Sequence, residues 1–167
     1  MAFKINFSDE DRNQEGRSAV YNALPTGDYP CVISDIDLAV VKSGPNQGKF
    51  MFEVTLTVED EENETANGRK FWPNVMLFEI QGGNWFLAQF LKATGNADAL
   101  TTGNVPEAEA YLGKKVIANV KRVRDKYNEK DQPEGTILYK NEVKGFMPFS
   151  TETVAKGKAK KTNSLLP

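Results

Sequence analysis

Hydrophobic and polar positions alternate most regularly between residues 49 and 58. Phe50, Phe52, Val54, Leu56 and Val58 recur every second residue, with Lys49, Glu53, Thr55 and Thr57 between them and Met51 as the exception. Period two predicts a strand with one buried and one open face. A longer strand is predicted before it, from Asp28 to Val41. There Val32, Ser34, Ile36, Leu38 and Val40 share one face, and Cys31, Ile33, Asp35, Asp37 and Ala39 share the other. A strand apolar in part on both faces suits a curved barrel strand. Residues 43–48 form the turn between these two strands. A hairpin loop with Glu59, Asp60, Glu61, Glu62 and Glu64 ends in Asn67-Gly68, a turn dipeptide. It leads to a third strand, Arg69 to Phe78, in which Pro73 implies a bulge or an edge position.

Gln81-Gly82-Gly83 breaks that strand. Asn84 then caps a helix from Trp85 to Thr94, closed by Gly95. The helix is apolar nearly all round, which predicts that it plugs an end of the sheet, with Trp85 as a packing residue. Pro106 starts a short second helix, Glu107 to Leu112. A fourth strand follows from Lys114 to Arg124, with Val116, Ala118 and Val120 inward and Ile117, Asn119 and Lys121 outward. A polar loop, Asp125 to Gly135, leads to the fifth strand, Thr136 to Phe146. Residues 1–27 read as a polar arm in which only Phe3, Ile5 and Phe7 alternate, and 151–167 as a flexible basic tail. The folded domain is expected over 28–150. Three strands, a helix and two strands predict a mainly β chain: a five-stranded OB-type barrel with its helix between strands 3 and 4.

Composition narrows the function. With 167 residues, 40% of them hydrophobic, the chain can bury a core without disulfide staples. Cys31 is the single cysteine, so no intramolecular disulfide forms, and a reducing compartment and a core role are expected. Histidine is absent, which removes the commonest general base and transition-metal ligand. The expectation is no catalytic residue, no metal, no cofactor and no enzyme activity. No stretch is apolar enough to span a membrane, and the first residues carry no signal-peptide core, which predicts a soluble cytoplasmic protein. Three apparent motifs fail. Only three residues separate Gly44 and Gly48, and Phe50 follows Lys49, so the segment is not a phosphate loop. Asp35 and Asp37 on one strand face could share a metal, but solvated surface is the simpler reading. The acids at 59–64 lack the spacing and the glycine of a calcium loop.

The net charge of −2 conceals segregation. Lys114, Lys115, Lys121, Arg122 and Arg124 fall within eleven residues with no acid among them. Such a run marks a polyanion site. Trp72 follows Arg69 and Lys70, and it alternates with Phe71, so one of the two rings points away from the core. Trp72 is assigned that place. Lys49, Arg69, Lys70, Lys121, Arg122, Arg124 and Lys126 are the candidate phosphate contacts. Trp72, Tyr127 and Tyr139 are the candidate stacking rings, with core and stacking readings both open for Tyr139. The loops at 59–68 and 125–135 would wall the groove, the first repelling phosphate with its acids.

Several short runs fall in a familiar order: Gly27-Asp28-Tyr29, Ser43-Gly44 to Gly48 before Phe50-Met51-Phe52-Glu53-Val54, and Gly68-Arg69-Lys70. They continue with Trp85-Phe86-Leu87 to Leu91-Lys92-Ala93-Thr94-Gly95, Leu112-Gly113-Lys114, and Asn141-Glu142-Val143-Lys144-Gly145-Phe146. In that order, residues 25–148 resemble a group of bacteriophage OB-fold single-stranded DNA-binding proteins encoded among replication and recombination genes. The resemblance implies binding with little sequence preference and no active site, in the cytoplasm of an infected bacterial host. It implies single-stranded DNA and phage replication or recombination proteins as partners, no membrane, and compatibility with a homo-oligomer. Many such proteins end in an acidic tail that recruits partners. Here the last residues are basic up to Thr162, which puts that route of recruitment in doubt. The alternative reading is an OB-fold protein-interaction or virion module that binds no nucleic acid.

Overall fold

In the computed structural model, which describes residues 23–149, the alternating segment becomes strand β2, Phe50–Val58. Phe52, Val54, Leu56 and Val58 are buried, as their spacing predicts. The other strands are β1, Gly27–Val40; β3, Lys70–Phe71; β4, Asn74–Met76; β5, Lys115–Arg124; and β6, Tyr139–Pro148. They form one antiparallel sheet in the order β3-β2-β1-β5-β6, with β4 also paired to β2. The mainly β reading stands. The five-stranded OB-type barrel is not shown by the pairing: the sheet has six strands, and no pairing among the described residues returns from β6 to β3. The polar arm before residue 23 and the tail after 149 lie outside the described residues.

The sixth strand comes from Pro73. Leu56 pairs with Phe71 and Glu53 with Asn74, so the two residues between them on β2 face two on the neighbouring segment. The register runs unbroken through Pro73, and no bulge exists there. Proline has no N–H to give the ladder, so one strand reads as two short ones at the sheet edge. Its carbonyl still accepts from the Val54 N–H at 3.0 Å.

The bulge lies in β1 instead. Ile33 pairs with Leu56, but Asp35 pairs with Thr55, so Ser34 is an extra residue. One added residue exchanges the two faces of a strand. Cys31 and Ile33 before it, and Ile36 after it, therefore all point into the core. The strict alternation expected for 28–41 is corrected accordingly: Ser34 faces out, and its hydroxyl lies 2.8 Å from that of Thr57.

The chain folds as two compact units, residues 26–121 with 142–149 and residues 23–25 with 122–141. In the larger unit, helix α1, Trp85–Ala93, covers the core. The Asn84 side-chain Oδ1 accepts from the Leu87 N–H at 3.2 Å, and its Nδ2 donates to the carbonyls of Met76 and Phe78. At the other end Gly95, at φ +79°, and Asn96 donate to Lys92 and Leu91, a Schellman stop. Phe90 is fully buried, 4.9 Å from Tyr111 and 5.3 Å from Phe146 between ring centroids. Trp85 corrects the packing assignment. It is 73% exposed, and its indole N–H donates to the Gly82 carbonyl. As the first helical residue it lies on the solvent side of the cap. The helix expected at 107–112 shrinks to a 3₁₀ turn, Ala108–Ala110, and a short helix α2, Ala99–Thr102, precedes it.

Candidate nucleic-acid interface

In the larger unit the open face of β2 carries the candidate site. Lys115 pairs with Val32, Val32 with Thr57, and Thr57 with Lys70. These four residues make one row across four strands, on the face opposite the buried row of Val116, Cys31 and Val58. At one strand spacing per step the two lysine Cα atoms lie about 14 Å apart. Trp72 stands two residues beyond Lys70, about 7 Å along the strand. Phe71 is buried and Trp72 is 60% exposed, so the ring assigned to solvent is the one in solvent. Continuing the register sets Trp72 opposite Thr55, with Asp35 beyond it. A row of acids, Asp37 and Glu53, follows. The face thus grades from cations through a ring to carboxylates. At the cationic end Lys115 makes a weak, exposed ion pair with Glu59 at 3.9 Å.

The remaining candidates of this unit are spread out. Lys49 lies eight residues along β2 from Thr57, about 27 Å away. Its ammonium sits 4.8 Å above the Phe78 ring and donates to Asn46. Lys121 is exposed on β5, six residues past Lys115 and on the same side. Arg69 is half-buried near Tyr29, whose hydroxyl is pushed up by burial, an effect that the Arg69 charge opposes. The loop between β2 and β3 is more ordered than a solvated loop. Ala66 is fully buried, and Asn67 accepts from the Asp60 N–H at 2.9 Å.

The smaller unit gathers the other candidates. The Arg122 guanidinium lies 4.2 Å from the centroid of the Tyr139 ring, and both residues are exposed. Guanidinium and ring in this arrangement attract directly. Tyr127 is 73% exposed, on the short helix α3, Lys126–Glu129, with the Lys130 ammonium 5.4 Å from its ring. Lys126 is exposed beside it. Arg124 is engaged: its Nε and Nη2 hold the Glu129 carboxylate at 2.8–3.1 Å. That hydrogen-bonded pair keeps the Glu129 carboxyl below its ordinary range and raises Arg124. Arg124 thereby closes the loop that presents Tyr127. The loop is pinned further by Asp125, whose N–H donates to the Leu138 carbonyl and whose carboxylate caps α3 through Asn128.

The structure therefore brings Lys70 together with Trp72 on one face, and Arg122 with Tyr139 on another part of the chain. Lys115, named in the sequence only as part of the basic run, joins these groups, as do Thr57 and Lys130, which were not candidates. For Lys115 and Thr57 the missing information is the pairing register, which no local pattern contains. Lys114, its neighbour in sequence, faces elsewhere and donates to the Thr94 carbonyl at the end of α1. Among the described residues no group of three or more acidic or cysteine side chains could hold a metal, and no helix is long and apolar enough to cross a membrane. Comparison with family models, with curated proteins and with solved structures finds no match.

Proposed function

We propose that the chain binds single-stranded DNA with little sequence preference, without catalysis, in phage DNA replication or recombination in the host cytoplasm. The observation that carries the reading is Trp72, a large exposed ring on an open strand face beside a cross-strand row that holds Lys70 and Lys115. A flat ring gives each base a stacking surface whatever its identity, and the cations neutralise phosphates. The Arg122–Tyr139 and Tyr127–Lys130 pairs offer the same chemistry in the smaller unit. The finer fold belongs to this proposal: an OB-type barrel, a partly open architecture that binds oligonucleotides on its second and third strands. Supporting it are the helix between the third and fourth strands and the unbroken register that makes β3 and β4 one strand.

The test is tryptophan fluorescence during titration with oligo-dT. In a Trp85→Phe background Trp72 is the only emitter, and strong quenching is expected. Trp72→Phe in the parent is expected to abolish most of the quenching and to weaken binding. Unchanged emission and no gel shift at low salt would overturn the reading in favour of the protein-interaction or virion module.

A further inference from the structure

The core face of β1 and β2 runs on past the core. Beyond Ile36 the bulge keeps Leu38 and Val40 on that face, opposite Phe52 and Phe50. Leu38 is 58% exposed, and Val40 and Phe50 are exposed as well. Here the larger unit opens a cleft of about 940 Å³, floored by Leu38, Phe52 and Phe78 and walled by Ile80, Leu87 and Val105. Glu79, Glu107 and Glu109 stand among its lining residues, and no lysine or arginine does. The Lys49 ammonium lies over the ring of Phe78, 4.8 Å from its centroid. An apolar floor beside three glutamates repels a nucleic acid, so this cleft is not part of the proposed DNA face. It suits a peptide that brings ammonium groups and aliphatic side chains together.

The chain contains such a segment. Residues 154–167 read Val-Ala-Lys-Gly-Lys-Ala-Lys-Lys-Thr-Asn-Ser-Leu-Leu-Pro, with four lysines, no acid and a Leu-Leu pair. The segment before residue 23 is the poorer match, because Asp9, Glu10, Asp11 and Glu15 outnumber its cations. Reach is sufficient. The last described residue, Phe149, has its ring 5.5 Å from the Lys115 ammonium. Lys115 pairs with Val32, six residues along β1 from Leu38, which is about 20 Å. Twelve residues from 150 to 161 span up to about 40 Å when extended. We propose that residues 154–167 dock in this cleft of their own chain, with Leu165 and Leu166 on the apolar floor and Lys156 to Lys161 against Glu79, Glu107 and Glu109. Docking there withdraws four lysines from any polyanion, so the cleft competes with DNA for the cations of the segment.

The experiment needs no nucleic acid, so it stands apart from the DNA reading. The full chain is treated with a carbodiimide, which joins a lysine amine to a carboxylate in contact with loss of water, and the links are mapped by mass spectrometry. Links from Lys156–Lys161 to Glu79, Glu107 or Glu109 in the monomer band are expected. In Leu165→Asp/Leu166→Asp their yield is expected to fall about tenfold or more, because each leucine withdrawn from an apolar site costs over a decade in occupancy. The substituted segment lies outside both described units, so the variant is expected to keep the parent's circular dichroism and melting curve. Those lysines linking only to other carboxylates, or to the cleft only in a dimer band, would overturn the proposal. So would an unchanged yield in the double variant.

Discussion

Cys31 shows how one side chain records its surroundings. It is buried in β1, its thiol donates to the Tyr29 carbonyl at 3.4 Å, and burial, helped by the Glu59 charge, pushes it up to about 12. Tyr111, buried with its hydroxyl donating to the Pro106 carbonyl, is likewise pushed up to about 12. For both groups folding favours the protonated form. Their contribution is whole below the unfolded values of 9.0 and 10.0 and is lost as pH rises through the folded ones. Urea unfolding is therefore expected to show stability falling between pH 9 and 12. Cys31→Ala should flatten the part of the fall that begins near pH 9, and Tyr111→Phe the part above pH 10. The same burial makes the thiol inert. A thiol-reactive disulfide reagent at pH 8 should label Cys31 only at the rate at which the protein unfolds. Labelling within seconds in buffer would show that β1 opens locally.

At the scale of elements, what the residue pattern reveals is separated from what it hides by pairing. The existence of β2, the cap at Asn84, the stop at Gly95 and the outward Trp72 all follow from local spacing, and the structure has them. The bulge at Ser34 does not follow, because an extra residue in one strand is defined only against its partner. Cys31 and Ile33 look out of phase with Ile36 until Thr55 is set beside Asp35. The unbroken register through Pro73 was hidden for the same reason, and so was the row from Lys115 to Lys70. Two consequences are measurable. Deleting Asp35 restores one-to-one pairing of β1 with β2, so Cys31, Ile33 and Ile36 keep their faces. That variant is expected to stay folded at a cost of about 1–2 kcal/mol, set by the local hydrogen bonds it disturbs. Deleting Val32 instead would turn Cys31 and Tyr29 out of the core and should abolish the cooperative transition in circular dichroism. Asn84→Ala removes an N-cap and also strands two carbonyls, so it is expected to cost about 2 kcal/mol or more in urea unfolding, the upper end for a cap. Asn84→Asp keeps the cap acceptor but loses both donors, so it should rescue little of that loss.

For the molecule as a whole, acids and bases are nearly balanced, at 23 and 21, so long-range attraction to a polyanion is weak. Binding must come from local fields around a few cations, and a salt titration counts them. Single-stranded DNA releases about 0.7 counterion per phosphate neutralised. If Lys70, Lys115 and Lys121 of the larger unit each take a phosphate, the logarithm of the oligo-dT association constant should fall with that of salt concentration at a slope of about −2. Lys70→Ala and Lys115→Ala should each make the slope shallower by about 0.7. Arg124→Ala should leave the slope nearly unchanged, because Glu129 already holds that guanidinium, and should act instead through the loop that carries Tyr127. Trp72→Ala makes the opposite pairing of effects. It removes stacking worth about 1–3 kcal/mol, so affinity drops while the slope stays where it was. Charge and ring are thus separable in one set of titrations. A slope indifferent to Lys70 and Lys115, with affinity still lost on removing Trp72, would mean that the ring contacts bases while phosphates are held elsewhere, on the smaller unit with Arg122 and Tyr139.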